Sequence, residues 1–292
     1  EALDYQPNIT AKSLRVGTTG RVLYIVPSVK NLVFSQFIHE LQKSLAKKGL
    51  DVIIVNNSAN AELTQSYTNM FTLNNIDGLI MTQTSTCGTI IAECCAKRNV
   101  PFVTLLSPDL PDVSGVLCDE AHGTEEAVRC LVACGHREIG FVMVEGSKLH
   151  MRRLLGYEKA LKEAGIPLCQ ERIVLCQSHD ELDAQAHIQE HLRRTGLNFS
   201  ALMCCNDFMA FGIMQALRET DIKIPEDVSL IGFDDSIARF LHPALSSVAM
   251  PIPQMVGAAA NMLLSQFKRR PLEIKRIQFP ERLVVRKSVY HK

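Results

Sequence analysis

The chain has 292 residues, of which 47% are hydrophobic and 21% charged, enough for one large core or two of ordinary domain size. Basic and acidic residues each number 31, so no net charge draws the chain toward nucleic acid or acidic membranes. No apolar run approaches the ~18 residues of a membrane helix, and no N-terminal stretch has the order of a signal peptide. We therefore expect no membrane partner.

The first residues are polar, and Pro7 is placed to begin a short helix ahead of the first strand. The chain lacks an initiator Met and begins in the middle of a pattern, so we expect a segment to precede it. A helix of about eight residues is marginal alone in water, where ~12 are needed. The sequence thus predicts a short appended segment over residues 1–17.

From residue 21, short β-rich runs alternate with longer amphipathic segments, which predicts a parallel sheet with helices on both faces. The helix after the first strand places Phe34, Phe37 and Leu41 on one face and ends near Gly49. The first lobe then continues with "DVIIVNN", a helix over 61–74, "DGLIMT", a helix over 89–98, "PFVTLL" and "SGVLCDEAHG".

The alternation begins again at "EIGFVMVEG", after the join at Gly135. Further runs are "ERIVLC", "ALMCCND" and "DVSLIGFDD", separated by helices over 154–164, 180–194 and 208–219. After Ser246 come a strand, a helix over 254–268 and two short strands. This order predicts an α/β protein of two doubly wound parallel-sheet lobes.

The pattern of the C-terminal segment predicts that the chain passes back and forth between the lobes. In all, the chain is expected to cross between them three times. We expect residues 18–136 and 251–275 to form the N-terminal lobe, and 137–250 and 276–292 the C-terminal lobe. Ligands of such folds bind beyond the carboxyl ends of the strands.

The ten cysteines include two adjacent pairs, Cys94-Cys95 and Cys204-Cys205, in apolar runs without the CxxC spacing of zinc sites. We expect reduced core residues, hence a reducing compartment and a cytoplasmic protein. His187 and His191 have zinc-like spacing on a predicted helix, but no third ligand is in register. We expect a solvated helix face, and neither a metal nor a cofactor.

Polar side chains stand just past several predicted strands, where a ligand would be bound. Carboxylates and an amide there suit a polyhydroxylated ligand, since each can bond two hydroxyl groups. A structural reading also holds for two of them: Asp207 caps the helix that begins at Phe208, and Asp235 holds a turn. The candidate positions are Ser28, Asp119, Asn206, Asp207, Asp234 and Asp235.

Seven segments in order resemble the LacI/GalR family of bacterial transcription regulators and span essentially the whole chain. They are "YQPNITAKSL", "NIDGLI", "CGHREIGFV", "RRLLGYEKAL", "CCNDFMAFG", "IPEDVSLIGFDD" and "ALSSVAMPIPQMVGAAANMLL". The resemblance implies a periplasmic-binding-protein-like fold and the effector-binding core of a repressor that acts as a homodimer on operator DNA. It also implies that the DNA-reading helix-turn-helix lies outside this chain.

The resemblance gives residues 1–17 a role as the remnant of the DNA-binding module and its hinge helix. In that family hinge helices fold on entering the minor groove, where a leucine wedges open a base step. The residues implied for the DNA hinge are Pro7, Asn8, Leu14 as the wedge and Arg15 beside the groove.

The same resemblance implies an effector site. Arg153 in "RRLLGY" reaches the effector, Asn206 and Asp234 contact it, Asp119 lines the cleft, and Ser28 and Phe34 line the side given by the N-terminal lobe. His179 stands nearest to a position where many members have an aromatic residue, and Trp is absent. The expected effector is a small sugar or sugar acid.

A sugar acid is favoured by "PSVKNLVF", which resembles the same stretch of gluconate-type regulators. Lys30, Arg153 or His179 would then lie near its carboxylate. Neither the effector's identity nor the direction of regulation follows from the residues.

Two other classes of protein compete with this reading. A periplasmic-type sugar-binding protein shares the fold, but the hinge segment, the missing signal peptide and the many cysteines oppose it. An enzyme is not expected, because no GxGxxG, GxxxxGK[ST] or GxSxG motif occurs. Asp119 and Asp234 could serve as acid and base in principle.

Overall fold

The computed structural model describes residues 18–57, 76–82, 87–110, 112–267 and 274–290. The predicted helix over 61–74 and the hinge positions Pro7, Asn8, Leu14 and Arg15 lie outside these residues. No helix in the described ranges is both long and apolar enough to cross a bilayer.

The described strands and helices alternate along most of the chain. Two short 3-10 helices, Gln170–Arg172 and Ala238–Phe240, interrupt the loops. In chain order the elements are β1 (Arg21–Val26), α1 (Leu32–Ala46), β2 (Asp51–Asn56), β3 (Gly78–Thr82), α2 (Cys87–Arg98), β4 (Phe102–Leu105), β5 (Ser114–Cys118), α3 (Glu120–Ala133), β6 (Ile139–Val144), α4 (Lys148–Glu163), β7 (Ile173–Cys176), α5 (Glu181–Thr195), β8 (Ala201–Cys204), α6 (Asp207–Glu219), β9 (Ser229–Asp234), β10 (Ser246–Ala249), α7 (Ile252–Gln266), β11 (Arg276–Phe279) and β12 (Arg282–Val284).

Two six-stranded sheets result, with the orders β11-β5-β4-β3-β1-β2 and β12-β10-β9-β8-β6-β7. The pairs from β1 to β5 and from β6 to β10 are parallel, whereas β12 runs antiparallel to β10. Each sheet thus repeats one doubly wound order, and the predicted fold class is confirmed.

Buried strands and one-sided helices form the core of each unit. β6 and β9 are buried along their whole length, as expected for parallel strands covered on both faces. α1 buries Val33, Phe34, Phe37, Leu41 and Leu45, and Asn31 caps it by accepting the Val33 N–H at 3.0 Å.

The chain divides into two compact units, and it passes between them three times. One unit holds the described residues up to Leu117 together with Ile252–Phe279, and the other holds Cys118–Pro251 together with Pro280 onward.

These boundaries differ from the predicted ones at three places, one of which is the single residue Pro251, predicted in the first lobe but part of the second unit. Residues 118–136, predicted in the first lobe, belong to the second unit, because α3 packs against α4. Residues 276–279, predicted in the second lobe, form β11 beside β5, where Gly115 donates its N–H to the Lys275 carbonyl at 2.9 Å. The glycine join at 135 lies inside the second unit, after α3 has already packed there.

Candidate functional site

Polar residues gather at the carboxyl edge of the second sheet, where five parallel strands end. β6 and β8 are neighbours inside the sheet, and the chain leaves them in opposite directions, toward β7 and β9. Such a switch point opens a crevice beyond the strand ends. The antiparallel β12 begins at this edge, because Arg282 pairs with Ala249 at the end of β10.

Arg153 lies at the centre of this group, on α4, and is 2% exposed. Its Nε donates to Oε2 of Glu120 at 2.7 Å, and its Nη1 donates to the carbonyl oxygen of Cys205. Its Nη2 lies 3.7 Å from Oδ1 of Asp234, and its guanidinium carbon is 3.4 Å from the centre of the Phe233 ring. Two carboxylates and an aromatic face therefore hold the buried cation.

The surroundings of Arg153 are richer in acid than in base. Glu120, Asp234 and Glu281 are each less than one tenth exposed, and Glu281 directly precedes β12. Burial, with Asp207 and Glu120 adding to it, raises the pKa of Asp234 well above its usual range although Arg153 opposes the shift. Burial and the charge of Glu120 likewise raise the pKa of Glu281. Burial disfavours the charge on Arg153, but Glu120 and Asp234 raise its pKa above the ordinary value.

The backbone is strained at the end of β9. Asp234 has φ +96° and Asp235 has φ +49°, a region that side chains other than glycine seldom adopt. Arg286 holds Asp235 through a salt bridge of 2.7 Å. Such strain is concentrated at functional sites, where surrounding contacts maintain it.

Asn206 is the N-cap of α6, and it is 2% exposed. Its Oδ1 accepts the Met209 N–H at 2.6 Å, while its Nδ2 donates to the His179 carbonyl at 3.4 Å. The prediction that Asp207 caps this helix was wrong. Asp207 is instead the first helical residue, and its carboxylate accepts from Ser236 N at 2.6 Å and Ser247 Oγ at 2.6 Å.

Two histidine rings lie beside the arginine, with centres 4.8 Å apart. His150 is fully buried on α4, and its Nδ1 accepts the Val144 N–H at 2.9 Å. The proton of the neutral ring is therefore on Nε2, which has no hydrogen-bond partner among the described residues. Burial and the nearby Arg153 lower the pKa of His150 well below its usual value, so the ring is neutral. The second ring is that of His179, in the exposed loop after β7.

The remaining predicted residues have other surroundings. Asp119 caps α3 by accepting the His122 N–H at 3.2 Å, and its neighbour Glu120 makes the contact to Arg153. Ser28 and Phe34 belong to the first unit, where Ser28 Oγ accepts the Lys30 N–H at 3.2 Å and Phe34 is 6% exposed. The second unit therefore brings together Arg153, His179, Asn206 and Asp234.

Four residues of this group were not predicted. Glu120 could have been found as a second acid directly after a strand end, and Phe233 as part of the "GFDD" run. His150 stands three residues before Arg153 on one helix face, which brings it to the same edge. Nothing in the sequence signals Glu281, since its position depends on the antiparallel pairing of β12 with β10.

Comparisons with known proteins agree with this architecture. The family model described as a periplasmic binding protein-like domain matches residues 128–289. The HTH-type transcriptional repressor PurR of Klebsiella pneumoniae subsp. pneumoniae is 30% identical over 291 residues, covering 98% of this chain and 85% of the repressor.

Solved structures show the same fold. A LacI family transcriptional regulator from Enterococcus faecium, with bound ribose, has a TM-score of 0.83 at 24% identity, covering 93% of this chain and 99% of that one. A sugar-binding transcriptional regulator of the LacI family from Escherichia coli, complexed with phosphate, has a TM-score of 0.78 at 26% identity, covering 94% and 100%. This chain belongs to the LacI/GalR family of transcriptional regulators and carries that family's effector-binding core.

Proposed function

We propose that the group around Arg153 binds a small hydroxyl-rich effector, a neutral sugar, and that this binding changes the affinity of the regulator for operator DNA. The observation that carries the proposal is the buried contact of Arg153 with Glu120 and Asp234 at the strand ends. Asn206, Asp234 and the Nε2–H of His150 add an amide, a carboxyl group and a ring donor. Neighbouring hydroxyl groups of a sugar can donate hydrogen bonds to the carboxyl and amide oxygens and accept hydrogen bonds from the N–H groups.

The charges favour a neutral sugar over a sugar acid. Arg153 already faces two carboxyl groups, and Glu281 contributes a third acidic group near the same cation. An incoming carboxylate would meet these acids before it found an unpaired positive charge. A hydroxyl group can donate to one oxygen and accept from another donor without adding charge.

The proposal extends to the hinge, which lies outside the described residues: Pro7, Asn8, Leu14 and Arg15 would form the segment that meets the operator. Asp119 would add a carboxyl group next to Glu120, while the roles of Ser28 and Phe34 in effector binding stay predictions from the resemblance. The regulator would act as a cytoplasmic homodimer without catalytic activity. The effector can change the affinity for DNA only if it binds more tightly to one conformation of the regulator than to the other, and only by that difference in affinity.

The experiment is a thermal-shift panel built from matched pairs. Each pair contains a neutral sugar and the corresponding sugar acid: ribose with ribonate, and glucose with gluconate. Ribose 5-phosphate, inorganic phosphate and nucleobases test other classes of ligand. A ligand at 100 times its Kd stabilises the folded state by about 2.7 kcal/mol. We expect a neutral sugar to raise Tm in wild type and to have no effect in Arg153→Lys, because lysine cannot reproduce the guanidinium contacts.

Two results would contradict the proposal. A larger shift with a sugar acid than with its neutral partner would refute the preferred class of effector. An equal shift in Arg153→Lys would show that the ligand binds away from this group. Melting of the variant without ligand is the control for its fold.

A further inference from the structure

A second group of chemically reactive side chains lies at the start of α5, apart from the contacts of Arg153. Cys176 is the last residue of β7, and Asp183 and His187 stand one turn apart on α5. One ligand atom from each of the three lies within 4.8 Å of the others. Thiol, carboxylate and imidazole are all common ligands of transition metals.

The hydrogen bonds of Asp183 leave one of its oxygens available. Oδ2 accepts the N–H groups of Gln177 at 2.8 Å and Ser178 at 3.0 Å, which fixes the carboxylate against the loop. Oδ1 faces His187, at 3.6 Å from its Nδ1. The carboxylate is therefore oriented by the backbone before any ligand arrives.

The imidazole of His187 is oriented in a similar way. Its Nδ1–H donates to the Asp183 carbonyl at 2.8 Å, so the lone pair of the neutral ring is on Nε2. Histidines that coordinate metals usually donate their other N–H to a carboxylate or a backbone carbonyl, which fixes the ring and its tautomer. The thiol of Cys176 is free and fully buried.

We propose that Cys176, Asp183 and His187 form a binding site for Zn²⁺, with a fourth position for water. Zinc accepts sulfur, nitrogen and oxygen ligands at ~2.0–2.3 Å in a tetrahedron, which places ligand atoms roughly 3.5 Å apart. The three side chains therefore have to rotate, with the His187 ring presenting Nε2, before ligand atoms that now lie within 4.8 Å of one another reach that distance. Hard ions such as Mg²⁺ and Ca²⁺ prefer oxygen alone and suit this set poorly.

The site differs from the histidine pair that the sequence suggested. His191 donates its Nε2–H to Asn198 Oδ1 at 3.0 Å and is only 4% exposed, so it belongs to the packed interior of the second unit and not to a solvated helix face. The partners of His187 are Asp183, one turn before it, and Cys176, across the loop. The inference stands independently of the proposed effector site, since it uses none of the same side chains.

The ligand form of cysteine is the thiolate. A metal ion therefore displaces the thiol proton as it binds.

The test is a titration of the untagged, reduced full chain with Co²⁺, followed by displacement with Zn²⁺. We expect one equivalent to give a sulfur-to-cobalt charge-transfer band and the visible bands of a tetrahedral ion. Cys176→Ser and His187→Gln should weaken Co²⁺ binding by more than about 100-fold, since even outer contacts are worth 10–100-fold. Cys169→Ser and His39→Gln are matched controls that should bind as wild type does.

X-ray absorption of the zinc-loaded wild-type protein completes the test and needs no variant to fold. One sulfur neighbour together with imidazole scattering would support the site. No sulfur neighbour, more than one, or a charge-transfer band that persists in Cys176→Ser would overturn it.

Discussion

Arg153 and Glu120 form a salt bridge with Nε and Oε2 2.7 Å apart, and their side chains are only 3% and 6% exposed. The two residues come from α4 and α3, which pack against each other in the second unit. The pair thus links the packing of two helices to the geometry of the proposed effector site. Its loss should affect both stability and binding.

Glu120→Gln should destabilise the chain by about 3 kcal/mol, because it leaves a buried guanidinium short of one compensating charge. Urea denaturation followed by circular dichroism measures this free energy. Glu163→Gln removes a carboxylate that pairs with Arg129 on the surface, and it should leave the midpoint unchanged. Equal midpoints for the two variants would contradict the structural role given to Glu120.

Gly156→Ala should separate α3 from α4. A Cβ at Gly156 would meet the Ala121 backbone, with its carbonyl carbon at 2.8 Å and its Cα at 3.0 Å. We expect a loss of about 1–3 kcal/mol from overpacking, together with weaker effector binding as Arg153 moves away from Glu120.

Gly257→Ala is the matched control for that substitution. It lies in α7, and apart from its own helix no atom of the residues that the structure describes lies within 4 Å of a Cβ added there. Alanine should stabilise this helix by up to about 1 kcal/mol. Equal effects of the two substitutions on urea unfolding would contradict the close approach of the helices.

Asn206→Ser should separate the capping role of Asn206 from its proposed role in binding. Serine caps helices about as well as asparagine, so the unfolding free energy should change by less than about 0.5 kcal/mol. The lost amide should weaken effector binding by about tenfold, which corresponds to one hydrogen bond. Calorimetry on the best ligand of the panel measures the second effect, and unchanged affinity would remove Asn206 from the site.

Asp207 should make stability depend on pH in the acid range. Burial raises its pKa to about 6, against 3.8 ordinarily, so the folded state holds a proton that the unfolded state has lost between these values. Stability from this group therefore falls as the pH rises from about 4 to 6, by about 3 kcal/mol in all.

Asp207→Asn isolates this contribution, because asparagine does not titrate. The stability of wild type relative to the variant should be larger at pH 4 than at pH 7, by about the same 3 kcal/mol. Urea titrations at both pH values measure the difference. A difference independent of pH would show that Asp207 keeps its ordinary pKa.

The sequence predicts the alternation of strands and helices well, because buried runs such as "IGFVMV" and capped amphipathic helices carry local signals. The same local signals predict that Asn206 and Asp234 lie at the ends of strands. Local patterns did not separate Asn206 from Asp207 as the helix cap. Either residue has a suitable side chain, and only the Ser236 and Ser247 contacts decide the role of Asp207.

Long-range packing accounts for what the sequence did not predict. Glu120 meets Arg153 across 33 positions because α3 packs on α4, and that packing also moved the unit boundary to Cys118. Glu281 reaches the same edge through an antiparallel strand at the end of the chain. Periodicity within a segment carries no information about either relationship.

The most direct measurement is isothermal titration of the best neutral sugar into wild type, Asp234→Gly and Asp221→Gly. Both aspartates have positive φ, +96° and +57°, which glycine adopts without strain, so neither substitution strains the backbone; melting of each variant without ligand is the control for its fold. Asp221 follows α6 at the far end of that helix from Asn206. The effector site around Arg153 predicts that Asp234→Gly loses more than about tenfold in affinity while Asp221→Gly binds as wild type does. Unchanged affinity in Asp234→Gly would contradict it.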